Sequence, residues 1–183
     1  RQWSSVLPEF SFLPRKFKIA ITGALEDRAA VLFHDIGIRI VKGRGGSTGF
    51  KVLVGGGQGR TPYVAQELNG FLEKRHLLSY LEAVMRVYNL HGRRDNKYKA
   101  RIKILVNALG IDEFRRQVEA EWDRLDKASI DLPEVERARI ASHFAPPALA
   151  VKPSRSEAVA RRRADDKAFD AFFRNNTPAH RVA

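Results

Sequence analysis

The sequence predicts an α+β domain. Segments with strand-like alternation and glycine-rich turns gather between residues 15 and 54, and apolar residues at helical spacing fill the stretch from 74 to 125. Positive charge is segregated in the same direction. Residues 1–110 carry 19 Lys and Arg against 8 Asp and Glu, whereas residues 111–183 carry 14 against 13. A hydrophobic content of 44% over 183 residues is enough for one substantial core with extensions.

The elements follow in order. Residues 1–12 hold Trp3, Pro8 and Phe10 without periodicity and read as an extended lead-in that ends at Pro14. Arg15 to Thr22 reads as a first strand, with Phe17, Ile19 and Ile21 on the core face and Lys16, Lys18, Ala20 and Thr22 on the other. Asp27 to Phe33 suits a short helical turn. His34 to Val41 alternates with Ile36, Ile38 and Ile40 on one face, Lys42 to Gly49 is a glycine-rich turn, and Phe50 to Val54 returns as the second arm of a hairpin. Residues 74–90 place Leu77, Leu78, Leu81, Val84, Met85 and Tyr88 on a helical stripe that Gly92 stops. Asp95 is expected to cap a second helix carrying Ile102, Leu105, Val106 and Leu109 and ending at Gly110. A third helix carries Phe114, Val118, Trp122 and Leu125 on one face, with Asp112 near its start. Residues 129–165, with Pro133, Pro146, Pro147, Pro153 and the Arg161-Arg162-Arg163 run, read as a surface linker around a short helix at 133–143. Residues 166–183 begin a further unit with Phe169, Phe172 and Phe173.

Composition removes several function classes. There is no cysteine, so the chain holds no disulfide framework, zinc-thiolate site, cysteine nucleophile or thiolate-bound cluster. No apolar run is long enough to span a membrane, and no signal-peptide pattern is present; a cytoplasmic location is expected. Arg1 opens the chain and Met85 is its one methionine, so a piece of a longer polypeptide is expected. The five histidines fall in no metal-ligand spacing, and no metal site is expected. His34 and Asp35, at a strand start, read as structural. The basic excess suits an anionic partner, with a nucleic-acid-binding module as one reading and a phosphate or polycarboxylate ligand as another. Few aromatics interleave with the basic residues, and no helix-turn-helix or RRM signature supports the first.

Three constellations carry candidate chemistry. Lys16 and Lys18, two apart on a strand, put ammonium groups roughly 7 Å apart on one face. They repel unless an anion sits between them, and they otherwise form a solvated strand face. Gly55-Gly56-Gly57-Gln58-Gly59-Arg60 allows close backbone approach to a ligand or a merely flexible loop, and it fits neither G-x-G-x-x-G nor the P-loop. Lys97 and Arg101, four apart on the expected second helix with Arg94 before them, suit carboxylates or phosphates, or an ordinary charged exterior.

Taken in order, these segments resemble the sirohaem-dependent assimilatory sulfite and nitrite reductases. Leu13-Pro14-Arg15-Lys16-Phe17-Lys18 is similar to that family's active-site strand. His34-Asp35-Ile36-Gly37 and Gly49 through Gly57 are similar to its following hairpin, and Arg93-Arg94-Asp95-Asn96 through Lys103 to its basic helix. Asn175-Asn176-Thr177 resembles the start of its next repeat. The resemblance implies a mixed, roughly five-stranded sheet with helices packed on one side. It implies a lead-in over 1–12, the domain itself over 13–128, a linker over 129–165, and from 166 the start of a ferredoxin-like repeat. It further implies reduction of sulfite to sulfide, or of nitrite to ammonia, by six electrons through sirohaem coupled to a 4Fe-4S cluster, fed by ferredoxin or a flavoprotein. The eight carboxylates of sirohaem would account for the basic surplus better than nucleic acid. By resemblance, Lys16 and Lys18 are the catalytic pair. Arg15 and Arg101, then Lys103 and Arg60, are sirohaem contacts, and Gly55, Gly56 and Gly57 let backbone pass beside the cofactor. Lysine at both positions of the pair tilts the substrate toward sulfite. The cluster cysteines are expected in a later repeat and two more substrate-binding arginines before Arg1, so this chain alone is expected to be inactive.

Overall fold

The computed structural model describes residues 2–148 and 156–176. These fall into two compact units, Arg1–Arg137 and Ala138–Ala183.

The first unit opens with a short helix α1 (Gln2–Val6) and a 3-10 turn (Pro8–Phe12). Four strands follow: β1 (Ile19–Thr22), β2 (Ile36–Lys42), β3 (Thr48–Val54) and β4 (Gln66–Glu73). They form one mixed sheet in the order β1-β2-β3-β4. Strand β1 lies parallel to β2, with Ile19 opposite Ile36 and Thr22 opposite Arg39, which requires the crossover through the 3-10 turn Val31–Phe33. Strands β2 and β3 form the expected hairpin, with Ile36 opposite Val54 and Lys42 opposite Thr48. Strand β4 pairs antiparallel with β3 through two register shifts near Val52. The helices of this unit are α2 (Leu77–His91), α3 (Ile102–Leu109), α4 (Ile111–Arg124) and α5 (Lys127–Ile130), and α6 (Glu134–Ser142) runs across the boundary at Arg137.

One face of the sheet carries the main core. Ile36, Ile38, Val52, Val54, Leu68 and Leu72 meet Tyr80, Val84 and Tyr88 of α2, Ile102 and Val106 of α3, and Phe114 and Val118 of α4. This is the predicted α+β arrangement, with helices on one side. The opposite face holds a smaller cluster of Val31, Leu53 and Ala65, against which Ala20 and Ala29 pack. Gly37 makes that cluster possible, since a Cβ there would lie 2.3 Å from the Val31 carbonyl oxygen.

Several expectations are corrected. The sheet has four strands among the described residues, not five. The first strand begins at Ile19, so Lys16 and Lys18 sit ahead of it in a stretch that belongs to no helix or strand. Ile19 and Ile21 stand on the same side as Ile36 and Ile38, as expected, but are 39% and 54% exposed, because β1 is an edge strand beyond the reach of the helices. The helix expected from Asp95 is instead a 3-10 turn (Lys97–Lys99) followed by α3. Asn96 caps the turn by accepting from the Tyr98 amide at 3.0 Å, while Asp95 pairs with Arg93 at 2.6 Å. Lys97 and Arg101 therefore share no helical face. The second unit contains α7 (Glu157–Asp165) and α8 (Lys167–Asn176), tied by an Arg163–Asp170 ion pair and by the Arg162 guanidinium over the Phe169 ring. Pro153, Thr177, Pro178 and His180 lie outside the described residues.

Candidate anion-binding site

The Lys16/Lys18 segment lies ahead of the paired strand, and side chains from elsewhere hold it together with one backbone bond from β2. Arg94 donates to the Phe12 carbonyl at 2.9 Å and to the Asn89 carbonyl at 2.7 Å. Pro14 packs on Gly92, where a Cβ would stand 2.8 Å from the Pro14 ring. The Phe17 ring lies 5.3 Å from the ring of Tyr88, whose hydroxyl donates to the Ala100 carbonyl at 2.8 Å and faces the Arg15 amide. At the far end the Lys18 amide donates to Oδ2 of Asp35 at 3.0 Å, and the Ile36 amide donates to the Lys18 carbonyl at 3.2 Å.

Asp35 is 1% exposed, and its other oxygen accepts from Nε and Nη2 of Arg101 at 3.0 and 2.8 Å. Burial pushes the Asp35 carboxyl up; the Arg101 hydrogen bonds and charge and the Lys18 amide pull it part of the way back. The fork of Arg101 suits this geometry, and its Nη1 stays outside the pair. Arg101 precedes α3 with extended backbone, so its side chain turns back to the sheet instead of running along a helix face.

The glycine loop closes the site. Gly55 has a φ of 84° and donates its amide to the Asp35 carbonyl at 3.0 Å. Gly57 and Tyr63 exchange two backbone hydrogen bonds of 2.9 Å, so the loop is a closed turn and not a loose one. A Cβ at Gly57 would stand 3.0 Å from the Arg101 guanidinium and from Cδ of Lys103. The Lys103 ammonium is buried and donates to the carbonyls of Gln58 and Thr61 at 2.9 and 2.5 Å. Burial, helped by the Arg101 charge, lowers its pKa from the ordinary lysine value.

Lys18, Arg101, Lys103 and Gly55–Gly57 are thus brought around Asp35. Arg15 and Lys16 are exposed along the same segment and line a cavity of about 360 Å³ with Phe10, Phe17, Ile19 and Met85. Arg60 is exposed in the loop. Among the described residues no ion pair engages Arg15, Lys16, Lys18 or Arg60. No cluster of His, Asp or Glu among the described residues suits a metal ion. His34 turns its Nδ1 to the Ala30 carbonyl at 2.8 Å. Asp35 and Tyr88 are site residues that spacing alone does not single out; the signals for Asp35 are its place directly before a buried strand and within the His34-Asp35-Ile36-Gly37 segment.

The class is a mixed-sheet α+β domain that presents a clamped basic segment beside a closed glycine turn. Residues 1–125 match the nitrite and sulphite reductase 4Fe-4S domain, and the chain belongs to that family. It is 37% identical over 115 residues to the sulfite reductase [NADPH] hemoprotein beta-component of Chromohalobacter salexigens, covering 60% of this chain and 20% of that protein. It is 36% identical over 115 residues to the ferredoxin–nitrite reductase of Leptolyngbya laminosa, covering 62% and 22%. The solved NirA protein of Mycobacterium tuberculosis superposes with a TM-score of 0.61 at 29% identity, over 72% of this chain and 24% of NirA. The chain therefore spans about a fifth of the length of the curated relatives it matches. No helix among the described residues is long and apolar enough to cross a membrane. The nucleic-acid reading finds no support in these relatives.

Proposed function

We propose that the chain is the central domain of a cytoplasmic sulfite reductase and supplies the basic half of a site shared with the rest of that protein. The observation that carries this reading is the pair Lys16 and Lys18. Both are exposed and two residues apart on a segment fixed at both ends, and neither forms an ion pair among the described residues. Family membership and the hemoprotein relative support it.

The residues fit sirohaem in part. Arg15 and Arg60 are exposed cations available to its carboxylates, and Arg101 retains Nη1 for the same purpose. Lys103 fits less well as a direct contact, because its ammonium already serves two loop carbonyls. A 4Fe-4S cluster does not fit this chain, which has no thiolate to offer. When bound, sirohaem with its coupled cluster supplies the electrons. The Lys16 and Lys18 ammonium groups bind the oxyanion oxygens, concentrate positive charge where negative charge develops, and hold protons at Nζ for the oxygens that leave as water. Arg101 and Arg15 orient the carboxylate-bearing ligand. The closed turn at Gly55–Gly57 keeps backbone, and no side chain, against Arg101.

Sulfite, a dianion, suits two lysines. Nitrite is the second reading, favoured by the nearly equal identity to the Leptolyngbya laminosa nitrite reductase. Ferredoxin or a flavoprotein is the electron donor in either case. The test is expression of the full-length protein with cofactor supply. The expected result is a sirohaem-type visible spectrum with sulfite-dependent electron uptake, and the absence of tetrapyrrole absorption would contradict the proposal. Lys18→Asn is expected to lower sulfite turnover more than nitrite turnover; equal losses would refute the substrate assignment.

A further inference from the structure

We propose that Asp35 is a positioning residue that couples Lys18 to Arg101, so that the substrate lysine and the guanidinium beside it move as one unit. The inference rests on the role proposed for Lys18. Three observations carry it. Lys18 lies outside the strand, and its amide is tied to the Asp35 side chain at 3.0 Å. The same carboxylate takes two hydrogen bonds from Arg101, 66 residues away, at 3.0 and 2.8 Å. Asp35 is 1% exposed, so solvent does not compete for either oxygen.

The chemistry of a carboxylate is what the arrangement requires. Two acceptor oxygens satisfy a backbone donor and a guanidinium fork together, which a carboxamide with one acceptor oxygen cannot do. The groups facing Asp35 are the charges of Arg101 and Lys18, the buried hydroxyl of Tyr88 and the ammonium of Lys103. Its own backbone carbonyl holds Gly55, so the residue joins the lysine segment, the glycine turn and the residue preceding α3. Moving Asp35 would therefore disturb the distance between two cations without touching either one's charge.

The test uses the full-length protein loaded with its cofactors. Sulfite dissociation constants are read from the visible spectrum, and thermal midpoints are read without sulfite. Lys18→Met is expected to weaken sulfite about tenfold. Asp35→Asn is expected to weaken it by a similar factor, and the double variant Asp35→Asn/Lys18→Met to bind within about twofold of Lys18→Met alone, since residues acting through one another are non-additive. Multiplicative losses would overturn the coupling. Asp35→Asn with parental affinity, where Lys18→Met weakens binding, would overturn the role of Asp35 alone. Lys18→Met with parental affinity would remove the anion role of Lys18 and this inference with it. If Asp35→Asn does not fold, Asp35→Glu keeps the carboxylate and displaces it by a methylene. Several-fold weaker sulfite binding supports the inference, and parental affinity overturns it.

Discussion

A methyl group at Gly56 would meet the Leu32 carbonyl oxygen at 2.4 Å and the His34 carbonyl oxygen at 2.7 Å. Both obstacles are backbone and cannot rotate away. Gly56→Ala is expected to lower stability by about 1–3 kcal/mol, measured by urea unfolding. Gly70→Ala is the contrast, because its nearest neighbour is the flexible end of Glu67 at 2.8 Å. Its cost is expected to stay below about 0.5 kcal/mol, and equal losses at the two positions would refute the packing argument. Tyr88 offers a pH test. Burial, together with the Asp35 carboxylate, pushes its hydroxyl up to about 12. The folded protein keeps this proton over a range where the unfolded chain, with a tyrosine pKa near ~10, gives it up. The associated stability is fully present below about pH 10 and is lost as pH rises through 12. Unfolding midpoints taken from pH 9 to 11 should fall less steeply in Tyr88→Phe than in the parent, and identical slopes would contradict this account of Tyr88.

Helix α4 joins the sheet through Phe114 and Val118, both 0% exposed. Phe114→Ala is expected to cost about 3–5 kcal/mol, because the helix and sheet on either side cannot close the space; a loss under about 1 kcal/mol would show that α4 is not part of the core. The stripe that places α4 was legible in the sequence because a polar face stands against a buried one, whereas α2, buried on nearly every side from Ser79 to Tyr88, was legible from its helical spacing of apolar residues and the stop at Gly92. The β2–β3 hairpin was legible for the corresponding reason, alternation ending at glycines. Strand β4 was not. Its two buried residues, Leu68 and Leu72, stand four apart, Gly70 occupies the position between them, and the register shifts against β3 leave no period of two. The turn before α3 was misread because Asn96 and Asp95 both suit a cap, and which one acts depends on Arg93 capturing Asp95. Of the site, the lysines and glycines were visible as residue types. Asp35 was not, since its role depends on a partner 66 residues away that only the fold brings near.

At the scale of the whole molecule, the site is built from separate stretches of chain and remains one-sided. The segment through Lys18, the Asp35 hub, the Gly55–Gly57 turn and the Arg101–Lys103 stretch all belong to the unit Arg1–Arg137, most of which matches the family. They bring positive charge and fixed geometry, and no thiolate. Under the proposed function the redox centre is held by residues outside this chain, which spans about a fifth of the length of its curated relatives. In the proposed site the clamped Lys16/Lys18 pair holds the oxyanion. The decisive measurement is kcat/KM for sulfite in the full-length Lys16→Met/Lys18→Met variant, with Lys42→Met as a control on an exposed lysine hydrogen-bonded to Thr48 at 3.1 Å. The account predicts a loss of about a hundredfold or more in the double variant, with tetrapyrrole content retained and the control unchanged. A double variant that turns over sulfite as the parent does would contradict it.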